Sequence, residues 1–404
     1  MNSIVTRWAA AALALVALHA GHGSATEPPR AEPDARIQRA VFADERLWLL
    51  SSGGRLSSIA EGGQRTDVAT PDRVMTLFVQ DGRAAIVTCP WASYAPLVPN
   101  GRWTVRRWSD NDWEVVAEIV SRGDALVAAA SNIVLTDSRM IDFTDGQQSD
   151  TALTLPFSAI SQPLFDPSKP LDEQQAQAAF PFPLTYLYQL GSGRAKPLKH
   201  WPAEAVLVTP KYVFVGYNAG EFGGGLQRID RATGVVSDVG RLDSPVNGIA
   251  TVPWKPDCVA AAIGLIHMFA SGQLVEVCHD QVRLLYERQI PEQIVRDTNG
   301  RIGSIPQHTT AFFGLQRQGE DLLAVGHDGL YRIGPGDRAH PIPLPEFKKV
   351  GGAGVSFDIA NVVLVLTTVN EHHSLSGSTP ILVPREAAQR ASARTSDDVN
   401  RSRP

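Results

Sequence analysis

Tyr212–Gly234 reads YVFVGYNAGEFGGGLQRIDRATG. An apolar run suited to a strand opens it, a glycine-rich break interrupts it, and an alternating strand closes it on Ala-Thr-Gly. Weaker copies recur along the chain. Arg46–Gly63 (RLWLLSSGGRLSSIAEGG) has the same run, turn, strand and turn. AAIVTCP from Ala84 leads into RWTVRRW and WEVVAEI, two strands that Ser109–Asp112 (SDND) joins as a hairpin. Asp124–Gly146, the segment from Cys258 (four short strands divided by turns at Gly264, Ser271-Gly272 and His279-Asp280), Asp321–Asp337 and Val362–Leu375 complete the set.

The seven apolar runs begin at Leu47, Ala84, Ala125, Tyr212, Cys258, Leu322 and Val362, with most neighbours about 37–46 residues apart. Some four strands every 40 residues or so is the spacing of β-propeller blades, and a β-solenoid would have shorter repeats. We therefore expect an all-β chain with seven four-stranded blades, six or eight being the alternatives. Each uniformly apolar run reads as the inner strand of its blade, buried on both faces.

Composition agrees. The 404 residues are 43% hydrophobic and 20% charged, and 34 glycines and 28 prolines are spread along the chain as turn punctuation. A net charge of −5 offers no basic face for phosphates, so no nucleic-acid partner is expected. At the N-terminus, Arg7 precedes the apolar run Trp8–Ala20, and small residues allow cleavage after Ala20 or Ala25. Residues 1–25 read as a signal peptide, which places the protein in the periplasm or outside the cell, with no transmembrane segment after cleavage. The run is shorter than the ~20 residues that span a bilayer. Residues 26–36 form a linker, 37–384 the propeller with an inserted loop at 156–183, and 385–404 a disordered tail. Cys89, Cys258 and Cys278 read as three buried thiols. The last two fall on strands we place two apart, about 9–10 Å, which is too far for a bridge.

Two blade motifs carry a resemblance. VGHDGLYRI, with its Gly-Leu-Tyr step, resembles blades of two-component-regulator-type propellers, and LQRIDRATG resembles blades of quinoprotein-like propellers. Each covers about a tenth of the chain, and both imply propeller architecture. The tryptophan that closes the quinoprotein motif is missing after Gly234, where the chain reads VVSDV, so a quinone cofactor is not implied. Propellers serve binding, sensing, lyase and hydrolase roles, and the fold does not choose among them.

Superposing the repeats puts Ser52, Thr88, Asn132, Asn218, Glu221, His327, Asp328, Glu371, His372 and His373 at the end of the inner strands. If these converge at one mouth of the channel, His327, Asp328 and His372 are candidate catalysts. Asn132, Asn218, Glu221 and Glu371 are then candidate ligand contacts, and a divalent cation at Glu221, Asp328 or Glu371 is conceivable. The competing reading is turn chemistry, because Asn, Asp, Ser and His side chains bond the local backbone. Gly223–Gly225 does not open a helix and reads as a hairpin bulge, not a phosphate cradle. Trp103 and Trp108, among arginines, are candidates for stacking on a ligand or for blade packing. His308, which precedes a blade, could face the channel mouth. The expected function is a non-enzymatic binding or scaffold module for a protein or envelope ligand. The alternative is a lyase or hydrolase of a small or saccharide substrate.

Overall fold

The computed structural model describes residues 37–51, 53–60, 65–90, 101–155, 198, 203–240, 242–266, 269–296, 300, 302–336, 338–342, 353–357, 362–369 and 375–383. The proposed signal peptide, linker, inserted loop and tail lie outside these residues, as do Ser52, Glu371, His372 and His373.

Among the described residues, six antiparallel four-stranded sheets follow one another as blades. Blade 1 spans 37–68, blade 2 spans 73–120, blade 3 spans 126–152, blade 4 spans 203–238, blade 5 spans 246–286 and blade 6 spans 312–342. The first strands of successive blades lie side by side around an axis, and the three-stranded sheet Ala353–Val383 touches the first strands of blades 6 and 1 to close the ring. The chain is thus a β-propeller with six four-stranded blades, one of the counts expected. The seventh expected unit is the three-stranded closing sheet.

The register places the apolar runs one strand farther out than the sequence suggested. Arg46–Ser51, Arg83–Cys89, Tyr212–Asn218, Cys258–Ile266 and Asp321–Gly326 are second strands. A second strand has sheet neighbours on both edges and blades on both faces, so nearly every residue of it is buried. The true first strands, such as Arg73–Gln80 and Ala203–Val208, border the channel and mix buried with half-exposed residues. Only Leu126–Ala130 in blade 3 is a first strand, as expected. Tight turns at positive φ join first to second strands, as at Asp44-Glu45 (53°, 58°) and Asp81-Gly82 (51°, 77°). Asp110-Asn111 closes the expected SDND hairpin in the same way (50°, 66°).

The core lies between blades. Trp48, Leu50, Leu77 and Ile86 fill the junction of blades 1 and 2. Phe78, Trp103, Val134 and Ile141 fill that of blades 2 and 3. Val213, Val215 and Tyr217 pack on Ile133 and Leu135, and Phe312 and Tyr331 pack on Ala260 and Leu274.

The closing turn of Tyr212–Gly234 now has a cause. Asp230 Oδ1 accepts bonds from the Ala232 and Thr233 amides (3.1 and 3.0 Å) and the Thr233 hydroxyl (3.0 Å). Gly234 then turns at φ 72°, where a Cβ would overlap the carbonyl of Ala152 in blade 3. Beside it, Arg231 Nη2 donates to Asp142 of blade 3 (2.7 Å). Burial raises the Asp142 pKa, but the bonds from Thr144 and Arg231 outweigh it and hold the carboxyl below its usual value. Such a group adds stability that is fully present above its unfolded pKa, about 4, and lost as the pH falls through the folded value. Asp142→Asn is expected to cost about 1–3 kcal/mol at neutral pH. It should also flatten the acid limb of a stability–pH curve below pH about 4, read by urea denaturation.

Two cysteines correct the expectation of three thiols. Cys258 and Cys278 form a disulfide with Cα atoms 4.5 Å apart. Cys258–Ile266 and Ala270–Cys278 are adjacent strands that pair Cys258 with Cys278. Gly264 and Gly272, read from sequence as turns, face each other inside this hairpin. Cys89 is a buried free thiol whose pKa burial raises.

Candidate functional site

The two faces of the ring differ. Second strands run toward one face and hand over to third strands there, and blade-to-blade connections cross the same face. The described strand ends that flank the long connections 90–101, 287–311 and 343–352 lie on it. The opposite face carries short turns. Binding residues concentrate on connections held by a rigid scaffold, which makes the loop face the candidate for a site.

The sequence-derived residues distribute as follows. Thr88, Asn218, Glu221, His327 and Asp328 lie on or beside the loop face, at second-to-third connections and therefore off the channel axis. Asn132 sits on the opposite face, because it follows a first strand, and its Oδ1 accepts from Gln80 Nε2 (2.7 Å). Thr88 is buried and donates to Thr104 O (3.3 Å). Trp103 is 6% exposed in the blade 2–3 core. Trp108 packs edge-on against Trp48 and Trp113, with centroids 5.0 Å away in both cases. Among the described residues, no three His, Cys, Asp or Glu side chains form a metal-binding group.

What the structure does bring together is a polar frame under three neighbouring connections. Asn218 Nδ2 donates to Asn247 Oδ1 (2.6 Å), and Asn218 Oδ1 accepts from the Gly220 amide (2.7 Å). Asn247 Nδ2 in turn donates to Gly264 O (2.8 Å) and Phe312 O (2.9 Å), tying blades 4, 5 and 6. Asn247 is the extra residue of a bulge in its strand, which frees its side chain from the regular alternation. The same frame fixes the turn Gly220–Phe222, where Gly220 and Gly223 take φ of 63° and 105°. The glycines thus serve a hairpin, as expected, but Tyr212–Asn218 and Gly224–Asp230 pair without the expected bulge.

Between blades 5 and 6 the chain rises as a ribbon. Gln289–Ile290 pairs with His308–Thr309 at its base, and Gln293–Arg296 pairs with Ile302–Ile305 beyond. Its base is pinned by Asp328, whose Oδ2 accepts from Thr310 Oγ1 and Arg288 Nη1 (3.0 Å each) and whose Oδ1 accepts from the Tyr331 hydroxyl (2.8 Å). Arg288 also bonds the Tyr331 hydroxyl. Burial pushes the Tyr331 phenol up to about 12, opposed by Arg288 and reinforced by Asp328, so it remains a donor at neutral pH. His327 Nδ1 accepts from the Ala311 amide (3.1 Å), and the His327 amide donates to Ala311 O (2.9 Å). That bond places the ring proton of neutral His327 on Nε2. His308 Nδ1 lies 3.0 Å from Pro306 O, with its ring 6.4 Å from that of His327. Thr309 Oγ1 accepts from the Gly272 amide (2.8 Å).

This frame holds apolar side chains out in solvent. Of nine exposed large hydrophobic residues among those described, six sit on these three connections: Phe222 (77%), Ile266, Phe269, Ile294 (80%), Val295 and Ile302 (67%). Folded monomers rarely cluster such residues without a use for them. The sequence reading missed the ribbon. Its signal was Asn299-Gly300 between two short apolar-alternating runs, the strongest local hairpin cue. Asn247 and Arg288 left no signal, because their roles depend on which blades adjoin.

The strand order and register define a β-propeller whose two faces differ in the length of their connections. No protein-family model matches the sequence, and no curated protein matches it. Solved structures similar to the chain include the extracellular domain of the hybrid two component system BT4673 of B. thetaiotaomicron. It is 12% identical with a TM-score of 0.43, covering 87% of this chain and 38% of that one. A second structure of a BT4673 extracellular domain is 13% identical with a TM-score of 0.40, and the chain spans 37% of its length. The computationally designed Ika8 protein is 14% identical with a TM-score of 0.41, covering 83% of this chain and 81% of that one. The fold class rests on the strand order and register described above.

Proposed function

We propose that this protein is an exported, non-enzymatic binding module of the cell envelope that takes a protein partner on its loop face. The observation that carries the reading is the exposure of Phe222, Ile266 and Phe269 at the second-to-third connections of the neighbouring blades 4 and 5. Aromatic and aliphatic anchors on a rigid base are what protein interfaces concentrate their energy in. Asn218, Asn247, His327 and Asp328 act as positioning residues, since their polar atoms join the connections to one another. Export is supported by the basic n-region and apolar run of residues 1–25, and by a disulfide suited to an oxidising compartment. Among the described residues, no helix is long and apolar enough to cross a membrane.

A photo-crosslinking residue placed at Phe222 or Phe269 in producing cells tests this, with Val115 on an outer strand as control. Discrete adducts are expected from the first two positions only. Serine at the other position should cut them about tenfold, the effect of losing one interface anchor. Equal adducts from Val115, or none from Phe222 and Phe269, would sink the reading.

A further inference from the structure

The ribbon beyond the loop face has an edge with no strand on it. Gln293–Arg296 pairs with Ile302–Ile305 on one side, and among the described residues nothing pairs with its other side. All four of its residues are exposed. Two-stranded ribbons are marginal alone, and exposed flat edges are commonly blunted by charge, proline or a covering loop. Here the edge strand holds no proline after Pro291, and Ile294 stands 80% exposed at its centre.

The sequence of this edge is complementary to itself. Strand alternation puts Glu292, Ile294 and Arg296 on one face, where Ser304 and the 67% exposed Ile302 join them from the other strand. Laid antiparallel against a copy of itself and centred on Ile294, the segment sets Glu292 opposite Arg296 at both ends, Gln293 opposite Val295, and Ile294 opposite Ile294. Neither Glu292 nor Arg296 has an ion-pair partner among the described residues. Opposite charges facing each other across strands stabilise the pair, and like charges destabilise it. A slip of half a pair would set Glu292 against Asp297, and a parallel pairing would set Glu292 against Glu292. Only the centred antiparallel register satisfies both charges.

We propose that a second copy of this chain occupies the ribbon edge, joining two propellers about a two-fold axis through a four-stranded sheet. The two-fold follows from self-pairing, since each contact then occurs twice. The four isoleucines, Ile294 and Ile302 from each copy, form a diagonal stripe on one face of that sheet, because Ile302 lies opposite Arg296. This inference does not depend on what the loop face binds.

The test is sedimentation of the full mature chain up to about 100 µM, a concentration that detects weak dimers. The wild type is expected to dimerise. Glu292→Arg and Arg296→Glu should each weaken the dimer about tenfold or more, because each sets like charges face to face. Mixing the two variants should restore a dimer, since both ends of the mixed pair then set an arginine against a glutamate. Unchanged thermal midpoints would show that these exposed substitutions leave the fold intact. A monomeric wild type would hand the edge to a different chain and overturn the proposal. A dimer unmoved by the single substitutions, or one that mixing fails to restore, would overturn it as well.

Discussion

Arg139→Met is expected to lower the stability of the propeller by about 3–5 kcal/mol, the cost of stripping one partner from a buried ion network. Arg139 is 8% exposed at the start of the third strand of blade 3. Its Nε reaches Asp124 (2.7 Å), its Nη1 Asp150 (2.6 Å), and its Nη2 the carbonyls of Val120 (2.9 Å) and Ser121 (3.3 Å). Those carbonyls belong to the exit from blade 2, so one guanidinium ties two blades together. Methionine fills the space of the side chain yet leaves Asp124 with only the Ser138 hydroxyl and Asp150 with the more exposed Arg122 at 3.9 Å. Adding Asp124→Asn and Asp150→Asn should recover part of the loss, because the uncompensated charge is then gone. Urea denaturation of the three proteins decides the matter. A single-variant loss under about 1 kcal/mol would mean the network is solvated and ordinary.

Trp48→Ala is expected to cost a similar amount, about 3–5 kcal/mol, through the cavity it leaves. Trp48 is fully buried in the second strand of blade 1, and its Nε1 donates to Ala43 O (3.0 Å). Its ring meets Trp108 and Trp113 edge-on at 5.0 and 5.6 Å, and those two meet each other at 5.0 Å. Trp113 Nε1 reaches across to Ala69 O (3.1 Å). The three rings are the junction of blades 1 and 2. Trp48→Phe keeps an aromatic edge and should cost less than half as much. The near-ultraviolet dichroism of the cluster should collapse in the alanine variant at temperatures where the far-ultraviolet signal persists. An alanine variant that keeps both signals and its urea midpoint would show that the junction does not depend on these rings.

The tryptophans show how far residue type alone carries. Four tryptophans near one another in sequence are compatible with a stacking platform or with a blade junction. Trp103 became core because it faces blade 3, and Trp108 became core because Trp48 of another repeat stands opposite. The same limit applied to His327 and Asp328. Their position after an apolar strand was legible, but their partners Thr310, Ala311 and Arg288 come from the connection ahead of the same blade. The cysteines failed in the register itself. Gly264 reads as a turn until the backbone of Phe312 is seen lying against it, where a side chain would not fit.

By itself the sequence determined the architecture: short apolar strands, turn residues and a period near 40 residues admit little besides a propeller. It also determined local turns, as at Asp230–Gly234 and Asp110-Asn111, because these depend on a residue's own backbone preferences and near neighbours. The tertiary structure decided which strand borders the channel, which cysteines meet, and which face gathers the long connections. Those are relations between repeats. Every repeat carries nearly the same pattern, so only their closure into a ring assigns each residue its neighbours. Tyr212–Gly234 proclaims a blade, while the loop face that Asn218 and Phe222 help to build exists only once blades 5 and 6 stand beside it.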